Sequence, residues 1–460
     1  MLPIGGTAMA TLAGLLQAAG HRVEGVDTTL YPPMSTQLEA LGIPVRLGWD
    51  PAAMPEADRT IVGNAVPRDN PEVVALMASR APFISQPEAV AHYLLAGARR
   101  GLVVAGTHGK TTTCSLVSWV LERCDTDPTC LVGGLLKWSR RSFRLGAGPW
   151  MVIEGDEYNS AFFDRGPKFL HYRPHIFVLG PVEFDHADLY PSLDAVLTAF
   201  RAGTAQVPGH GTVVVNADSP GAMAAIRDAT APVVRVGTAT DCELRLDETL
   251  ADGAGTVTDI SWLGRPAELR VPMAGRFNAV NAAQAVAASV AAGLELDSVL
   301  DAVATFPGVA RRMDLVGEAA GIAVVDDFAH HPTALSVTLQ AARQRWPGRR
   351  LVVAFEPRSI TAARADFKDA YREALGHADL ALVAAPYHRE RLDPVDQLDR
   401  ERLAADLAAA GVASLMPDAG DDPVEVLIPQ LRAGDVVLGC SSGDFNAFHR
   451  RLLEALGGTP

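Results

Sequence analysis

Leu102-Val103-Val104-Ala105-Gly106-Thr107-His108-Gly109-Lys110-Thr111-Thr112 reads as a β-branched strand, a glycine-containing turn and the opening of a helix that runs toward Leu121. That order of elements grips phosphates: glycines let backbone N–H groups close around the oxygens, and the helix start adds positive potential. Lys110 can reach the terminal phosphates, and the Thr111 hydroxyl can ligate Mg2+. Gly106, Thr107, His108, Gly109, Lys110, Thr111 and Thr112 are therefore candidate ATP contacts. The strict phosphate-loop spacing asks for glycine at position 104, where Val104 stands. A glycine-rich helix start with no nucleotide stays open at this point.

Two later strand ends carry partners for such a loop. Trp150 to Ile153 is followed by Glu154-Gly155-Asp156-Glu157, and Ile176 to Leu179 is followed by Glu183-Phe184-Asp185-His186. Ligands of α/β sheets collect at the carboxyl ends of strands. If these strands are neighbours, Glu154 and His186 face the crevice above Thr111, and the three are candidate ligands for Mg2+ bridging ATP phosphates. The plainer reading is a solvated acidic turn and a histidine at a helix start.

The same grammar of short apolar run, turn and Ala/Leu-rich helix extends over the chain, which is how doubly wound α/β sheets read. At 460 residues, a prior of roughly 150 residues per domain predicts three. The expected boundaries are 1–98, 99–307 and 308–460. The first segment has strands at Val23 to Val26, Thr60 to Val62 and Phe83-Ile84. The last has strands at Ile322 to Val325, Leu351 to Ala354, Leu380 to Val383 and Val436 to Leu438. A formal net charge of −14 argues against binding to nucleic acid or to anionic membrane surfaces, both of which need a cationic face. Five cysteines without a C-x-x-C pair indicate neither a disulfide framework nor a zinc knuckle. No apolar run is long enough to span a bilayer, and Ile4 to Gly20 lacks a preceding basic residue and is broken by Gly5-Gly6-Thr7, so the expected location is the cytoplasm.

The G-T-H-G-K-T-T loop, the acidic turn after the next strand and E-x-D-H at His186 resemble the Mur ligase family. Further on, Gly275-Arg276-Phe277-Asn278-Ala279-Val280-Asn281, Arg311-Arg312-Met313-Asp314 and Asp326-Asp327-Phe328-Ala329-His330-His331-Pro332 resemble its later motifs. The resemblance implies a Rossmann-like N-terminal domain for a UDP-sugar, a central P-loop ATPase-like domain and a Rossmann-like C-terminal domain for a peptide. It implies an ATP-dependent amide ligase that needs Mg2+ and acts on UDP-N-acetylmuramate in peptidoglycan recycling or synthesis. Asn278 and Asn281 would sit at adenine and ribose, although an N-x-x-N pair can also cap a helix. Arg312 would reach the γ-phosphate, where an arginine suits developing phosphoryl charge. Gly6 and Thr7 would hold the UDP diphosphate. His330, beside Asp327, would orient the incoming amine and accept its proton, because an imidazole with a carboxylate neighbour can titrate near neutral pH. Lys110, Arg312 and the Mg2+ ions held by Thr111, Glu154 and His186 would stabilise the transferred phosphoryl group.

Within the family, D-D-[YF]-x-H-H-P resembles members that add either L-alanine or an intact recycled tripeptide to UDP-N-acetylmuramate. Tyr31 to Thr36, Glu154 to Asp164 and Phe355-Glu356-Pro357-Arg358-Ser359 look like the tripeptide enzyme; the alanine enzyme usually has F-x-P-H-R at the last. Glu157, His330, Arg358, Ser359, Ser442 and Gly443 are then candidate substrate contacts. The sequence also departs from the family: Pro3 stands where glycine is usual, Gly180-Pro181 replaces T-N, Ile360 replaces asparagine, and no lysine occupies Thr198 to Arg201 for a carbamylated metal ligand. A nucleotide-binding regulatory protein without turnover and a dinucleotide oxidoreductase are the readings from other classes. The first conflicts with Lys110, Glu154, His186 and Arg312 together; the second lacks a full G-x-G-x-x-G.

Overall fold

The computed structural model describes residues 1–186, 189–253, 255–387, 393 and 396–458. Its centre is a ten-stranded sheet. Seven strands are parallel, in the order Leu244–Asp252, Val233–Gly237, Thr212–Asn216, Pro174–Leu179, Arg100–Ala105, Trp150–Glu154 and Thr129–Leu136. The strand of the phosphate loop, Arg100–Ala105, lies between the two strands that carry Glu154 and the His186 turn. The carboxyl ends of all three therefore open on one crevice. Their side chains from Leu102 to Ala105 and from Ile176 to Leu179 are buried, as expected of strands covered on both faces.

Both margins of this sheet are antiparallel. Gly255–Trp262 and Arg265–Val271 extend one side, and Arg141–Arg144 closes the other. The first segment docks on that second margin. Gly14, inside helix Thr7–Ala18, faces the Phe143 ring so closely that a Cβ there would lie 2.1 Å from a ring carbon. Thr11 and Ser142 hydroxyls meet at 2.7 Å, and Gln37 Oε1 accepts from the Ser142 N–H at 3.0 Å. The apolar cores of the first segment and of this sheet face are continuous through Leu12, Leu131 and Phe143.

Within the first segment the paired strands are Gly25–Asp27 with Val45–Leu47 and Thr60–Val62 with Phe83–Ser85. The expected strand at Val23 starts two residues later, where pairing with Val45 begins. Residues 1–4 link the two pairs: Leu2 bridges Val62, and the Ile4 N–H donates to the Val26 carbonyl at 3.0 Å. Ser85 and Glu88 form a capping box that starts helix Gln86–Tyr93.

The last segment is a six-stranded sheet ordered Asp314–Ala319, Ile322–Asp327, Val436–Cys440, Leu351–Phe355, Leu380–Val383 and Ala413–Leu415. Only the first pair is antiparallel. Val309 bridges Leu136 of the central sheet immediately before this segment, so the chain enters it beside the phosphate-loop helix. Among the described residues no helix is long and apolar enough to cross a membrane.

Candidate active site

Gly106 and Gly109 have φ of 126° and 80°, a region that favours glycine, and neither has room for a side chain. A Cβ on Gly106 would lie 2.9 Å from Gly180 Cα, and one on Gly109 would lie 2.4 Å from Asn281 Oδ1. A side chain at position 180 would crowd the same loop, since a Cβ on Gly180 would lie 3.1 Å from the His108 carbonyl oxygen, whereas nothing in the structure explains proline at 181. Gly180 lets its backbone pass against the loop, and the Pro181 carbonyl accepts from the Thr107 N–H at 2.8 Å. Val104 is an interior strand residue, and the turn that position 104 would have made falls to Gly106.

Lys110 opens helix Lys110–Arg123 and folds back over the loop. Its Nζ donates to the Gly106 carbonyl at 2.7 Å and to both Glu157 carboxylate oxygens at 3.0 and 2.9 Å. Burial works against its charge, but the carboxylates of Glu157, Asp156 and Glu154 outweigh that and hold the ammonium above the ordinary lysine pKa. Glu157, expected among substrate contacts, thus sits inside the phosphate-loop cluster.

The Thr111 hydroxyl donates to Glu154 Oε1 at 2.9 Å, and the Gly133 N–H donates to Glu154 Oε2 at 2.6 Å. Burial pushes the Glu154 carboxyl above its usual range. A hydroxyl beside a buried carboxylate is a hard-oxygen pair of the kind that suits Mg2+, so these two residues fit the ion that the loop implies. His186, with φ of 55°, points its Nε2 at Glu157 Oε1, 2.9 Å away, rather than at Glu154. Burial opposes protonation of His186, but the hydrogen bond and charge of Glu157 raise its pKa.

Gly133-Gly134 escaped the sequence reading, although paired glycines inside a strand signal a close approach. A Cβ on Gly133 would lie 2.7 Å from Glu154 Oε2, and one on Gly134 would lie 3.0 Å from Thr111 Cγ2. Gly133→Ala is expected to push the carboxylate off Thr111. It should raise the Mg2+ concentration for half-maximal ATP turnover roughly tenfold, as loss of a supporting hydrogen bond does elsewhere. The accompanying fall in stability should be only ~1–3 kcal/mol, because the carboxylate is the mobile end of its side chain. A Mg2+ titration and urea unfolding of the variant measure both.

Asn278 and Asn281 are buried on helix Arg276–Ala291, Asn278 donating to the Ala274 carbonyl at 2.7 Å and Asn281 packing on Gly109. They stand behind the loop. Arg312 lies over the Phe328 ring at 5.0 Å, and its charge is felt by Asp327 and Glu154. Burial lowers its pKa against those carboxylates. The last segment therefore delivers a guanidinium to the crevice in this conformation.

The expected pairing of Asp327 with His330 is corrected. Asp327 Oδ2 accepts from the Met313 N–H at 2.7 Å and Oδ1 from the Ala329 N–H at 2.8 Å, so it ties the Arg311–Met313 turn to the strand end. The carboxylate whose charge acts on His330 is Asp185. Burial lowers the His330 pKa to about 4, so its imidazole is neutral throughout the physiological range and does not titrate near neutrality.

Gly6 is the N-cap of helix Thr7–Ala18, with Thr7 its first residue. The preceding Gly5 N–H donates to Asp27 Oδ2 at 2.7 Å, and a Cβ at Gly5 would strike that oxygen. At the carboxyl ends of the last sheet, the Arg358 guanidinium lies over the Tyr387 ring at 4.0 Å, against Gly443 and 3.5 Å from Glu356 Oε2. The Ser441 hydroxyl donates to Glu356 and accepts from the Gly443 N–H, which fixes the Ser441-Ser442-Gly443 turn. Ser359 Oγ accepts from the Ala362 N–H at 3.0 Å and serves the turn after Arg358.

Comparison with known proteins agrees with this arrangement. Residues 1–97 match the Mur ligase family catalytic domain, 104–289 the Mur ligase middle domain and 311–443 the Mur ligase glutamate ligase domain. The UDP-N-acetylmuramate–L-alanyl-gamma-D-glutamyl-meso-2,6-diaminoheptandioate ligase of Escherichia coli (strain K12) is 35% identical, over 99% of this chain and 97% of its own. The UDP-N-acetylmuramate–L-alanine ligase of Arthrobacter sp. (strain FB24) is 36% identical, over 98% and 94%. The crystal structure of a murein peptide ligase from Psychrobacter arcticus superposes with a TM-score of 0.75 at 31% identity, covering 100% of this chain and 98% of that one. The chain belongs to the Mur ligase family and is an ATP-dependent, Mg2+-requiring amide ligase.

Proposed function

We propose that this ligase joins the intact tripeptide L-alanyl-γ-D-glutamyl-meso-diaminopimelate to UDP-N-acetylmuramate. The observation that carries the reading is Arg358. It is held between the Tyr387 ring and Gly443 at the strand ends that face the ATP crevice, where a planar cation can pair a peptide carboxylate. L-alanine offers a single carboxylate and needs a small closed pocket; a tripeptide has more carboxylates to place.

In this reading Gly6 and Thr7 present backbone donors to the UDP diphosphate. The muramoyl carboxylate attacks the γ-phosphate of ATP, giving an acyl phosphate and ADP, and the peptide amine displaces phosphate to form the amide. Lys110 and Arg312 hold the transferring phosphoryl group, a task of positioning and electrostatics. Thr111, Glu154 and His186 would hold Mg2+, which would neutralise phosphate charge. Neutral His330 can accept a hydrogen bond from the incoming amine and orient it, and closure of the last domain excludes water from the acyl phosphate.

The test supplies ATP, Mg2+, UDP-N-acetylmuramate and either L-alanine or the tripeptide, and reads phosphate release with the mass of the UDP product. Joining of the tripeptide alone supports the proposal; joining of L-alanine alone overturns it and makes Arg358 a residue of the fold. Arg358→Ala should raise the tripeptide KM about 10- to 100-fold, the loss of one charge-assisted hydrogen bond, and leave the KM for ATP in place.

A further inference from the structure

Three side chains meet at the seam between the phosphate loop and the last domain. His108 comes from the loop, Glu183 from the turn after strand Pro174–Leu179, and His331 from the N-cap of helix Pro332–Arg345. Each offers one ligand atom, and these atoms lie within 4.8 Å of one another. His108 Nε2 is 3.3 Å from Glu183 Oε2, and the two imidazole rings are 4.9 Å apart between centroids.

His331 supplies the second, independent observation. It is 7% exposed, and neither of its ring nitrogens has a hydrogen-bond partner among the described residues. Buried polar atoms are nearly always satisfied, so an orphaned imidazole facing another imidazole and a carboxylate points to something that binds between them. Glu183 Oε2 also accepts from the Thr333 hydroxyl at 2.9 Å, the supporting hydrogen bond that metal-ligating carboxylates usually receive.

We propose that His108, Glu183 and His331 form a second cation site, separate from the Thr111–Glu154 pair, that takes a divalent transition metal of the zinc class. Two imidazole nitrogens and one carboxylate oxygen are a donor set for Zn2+ with a fourth position left open, whereas Mg2+ favours oxygen donors throughout. Because two ligands belong to the central domain and one to the last, a bound ion ties the last domain to the phosphate loop. Metal occupancy then favours the closed arrangement of the enzyme, whichever peptide it joins.

Calorimetric titration of the full chain, freed of metal by a chelator, with Zn2+ alone tests the site. We expect one Zn2+ per chain, retained against a large excess of Mg2+. Affinity should fall at least ~100-fold in His331→Asn and in Glu183→Gln, and roughly tenfold in Thr333→Val, which removes only the supporting hydrogen bond. Co2+ should give the visible absorption bands of a low-coordinate nitrogen–oxygen site in the wild type and lose them in Glu183→Gln. Absence of stoichiometric Zn2+ binding overturns the proposal. So does binding that both ligand variants leave unmoved, or that Glu154→Gln removes instead. Glu183 is partly exposed, so its variant decides the matter if His331→Asn does not fold.

Discussion

Lys110→Met is expected to reduce ATP-dependent ligation by at least ~10³-fold, the scale on which charged phosphoryl clamps act. The side chain folds over the Gly106 carbonyl, where its ammonium can follow the transferring phosphate. The same substitution also affects stability. Glu157 is buried, and two of its hydrogen bonds come from Lys110, with His186 the other side-chain partner among the described residues. Removing one member of a buried pair typically costs ~3–5 kcal/mol; His186, hydrogen-bonded to the same carboxylate, should reduce this. The double variant Lys110→Met with Glu157→Gln should recover most of the lost stability and none of the activity. Turnover of Lys110→Met within tenfold of wild type would exclude Lys110 from phosphoryl transfer. Failure of the double variant to regain stability would mean that Glu157 is held mainly by His186.

The parts of this site that sequence revealed are those fixed by local backbone. Gly106 and Gly109 must be glycine because of φ and of what passes beside them, and the strand, loop and helix follow one another without interruption. The meeting of Glu154 with Thr111 was legible because a parallel sheet exposes the ends of its neighbouring strands together, whereas the contact of His186 with Glu157 was not. Contacts between distant segments were not. Thr333 reaches Glu183 across 150 positions, and Gly133 meets Glu154 only because two strands pair. The Asp327–His330 pairing failed for the opposite reason: proximity in sequence suggested a contact that the turn prevents, because Asp327 is occupied by the Met313 and Ala329 N–H groups. Two strands at that side of the sheet were missed because Leu244–Asp252, the last parallel strand, is largely exposed beyond its first residues and Arg265–Val271, in the antiparallel margin, is exposed along one face, which weakens the apolar signal of a strand. The uniform alternation of strand and helix therefore described the parallel interior of the sheet and not its margins.

Adjacent arginines provide the second large effect. Arg311 is consumed by structure: its guanidinium donates to Asp326, to the Ser441 carbonyl at 2.9 Å and to the Gly443 carbonyl at 2.6 Å. Arg312 shares the Phe328 ring with Arg311, at 5.0 and 5.3 Å, but its charge acts on Asp327 and on Glu154 of the phosphate-loop cluster. Arg312→Lys is therefore expected to lower kcat about 10³-fold, because an ammonium cannot reproduce the planar fork that spans two phosphoryl oxygens. KM for the peptide should change little, since the lost interaction belongs to the phosphoryl transition state. Arg311→Lys should do the reverse, lowering thermal stability through three weakened hydrogen bonds while kcat stays within a few-fold. Single-turnover measurement of ADP formation places the Arg312 defect at acyl-phosphate formation, before the amine reacts. A slow amine step with normal ADP formation would instead move Arg312 to peptide positioning, and a larger kcat loss in Arg311→Lys would exchange the roles of the two side chains.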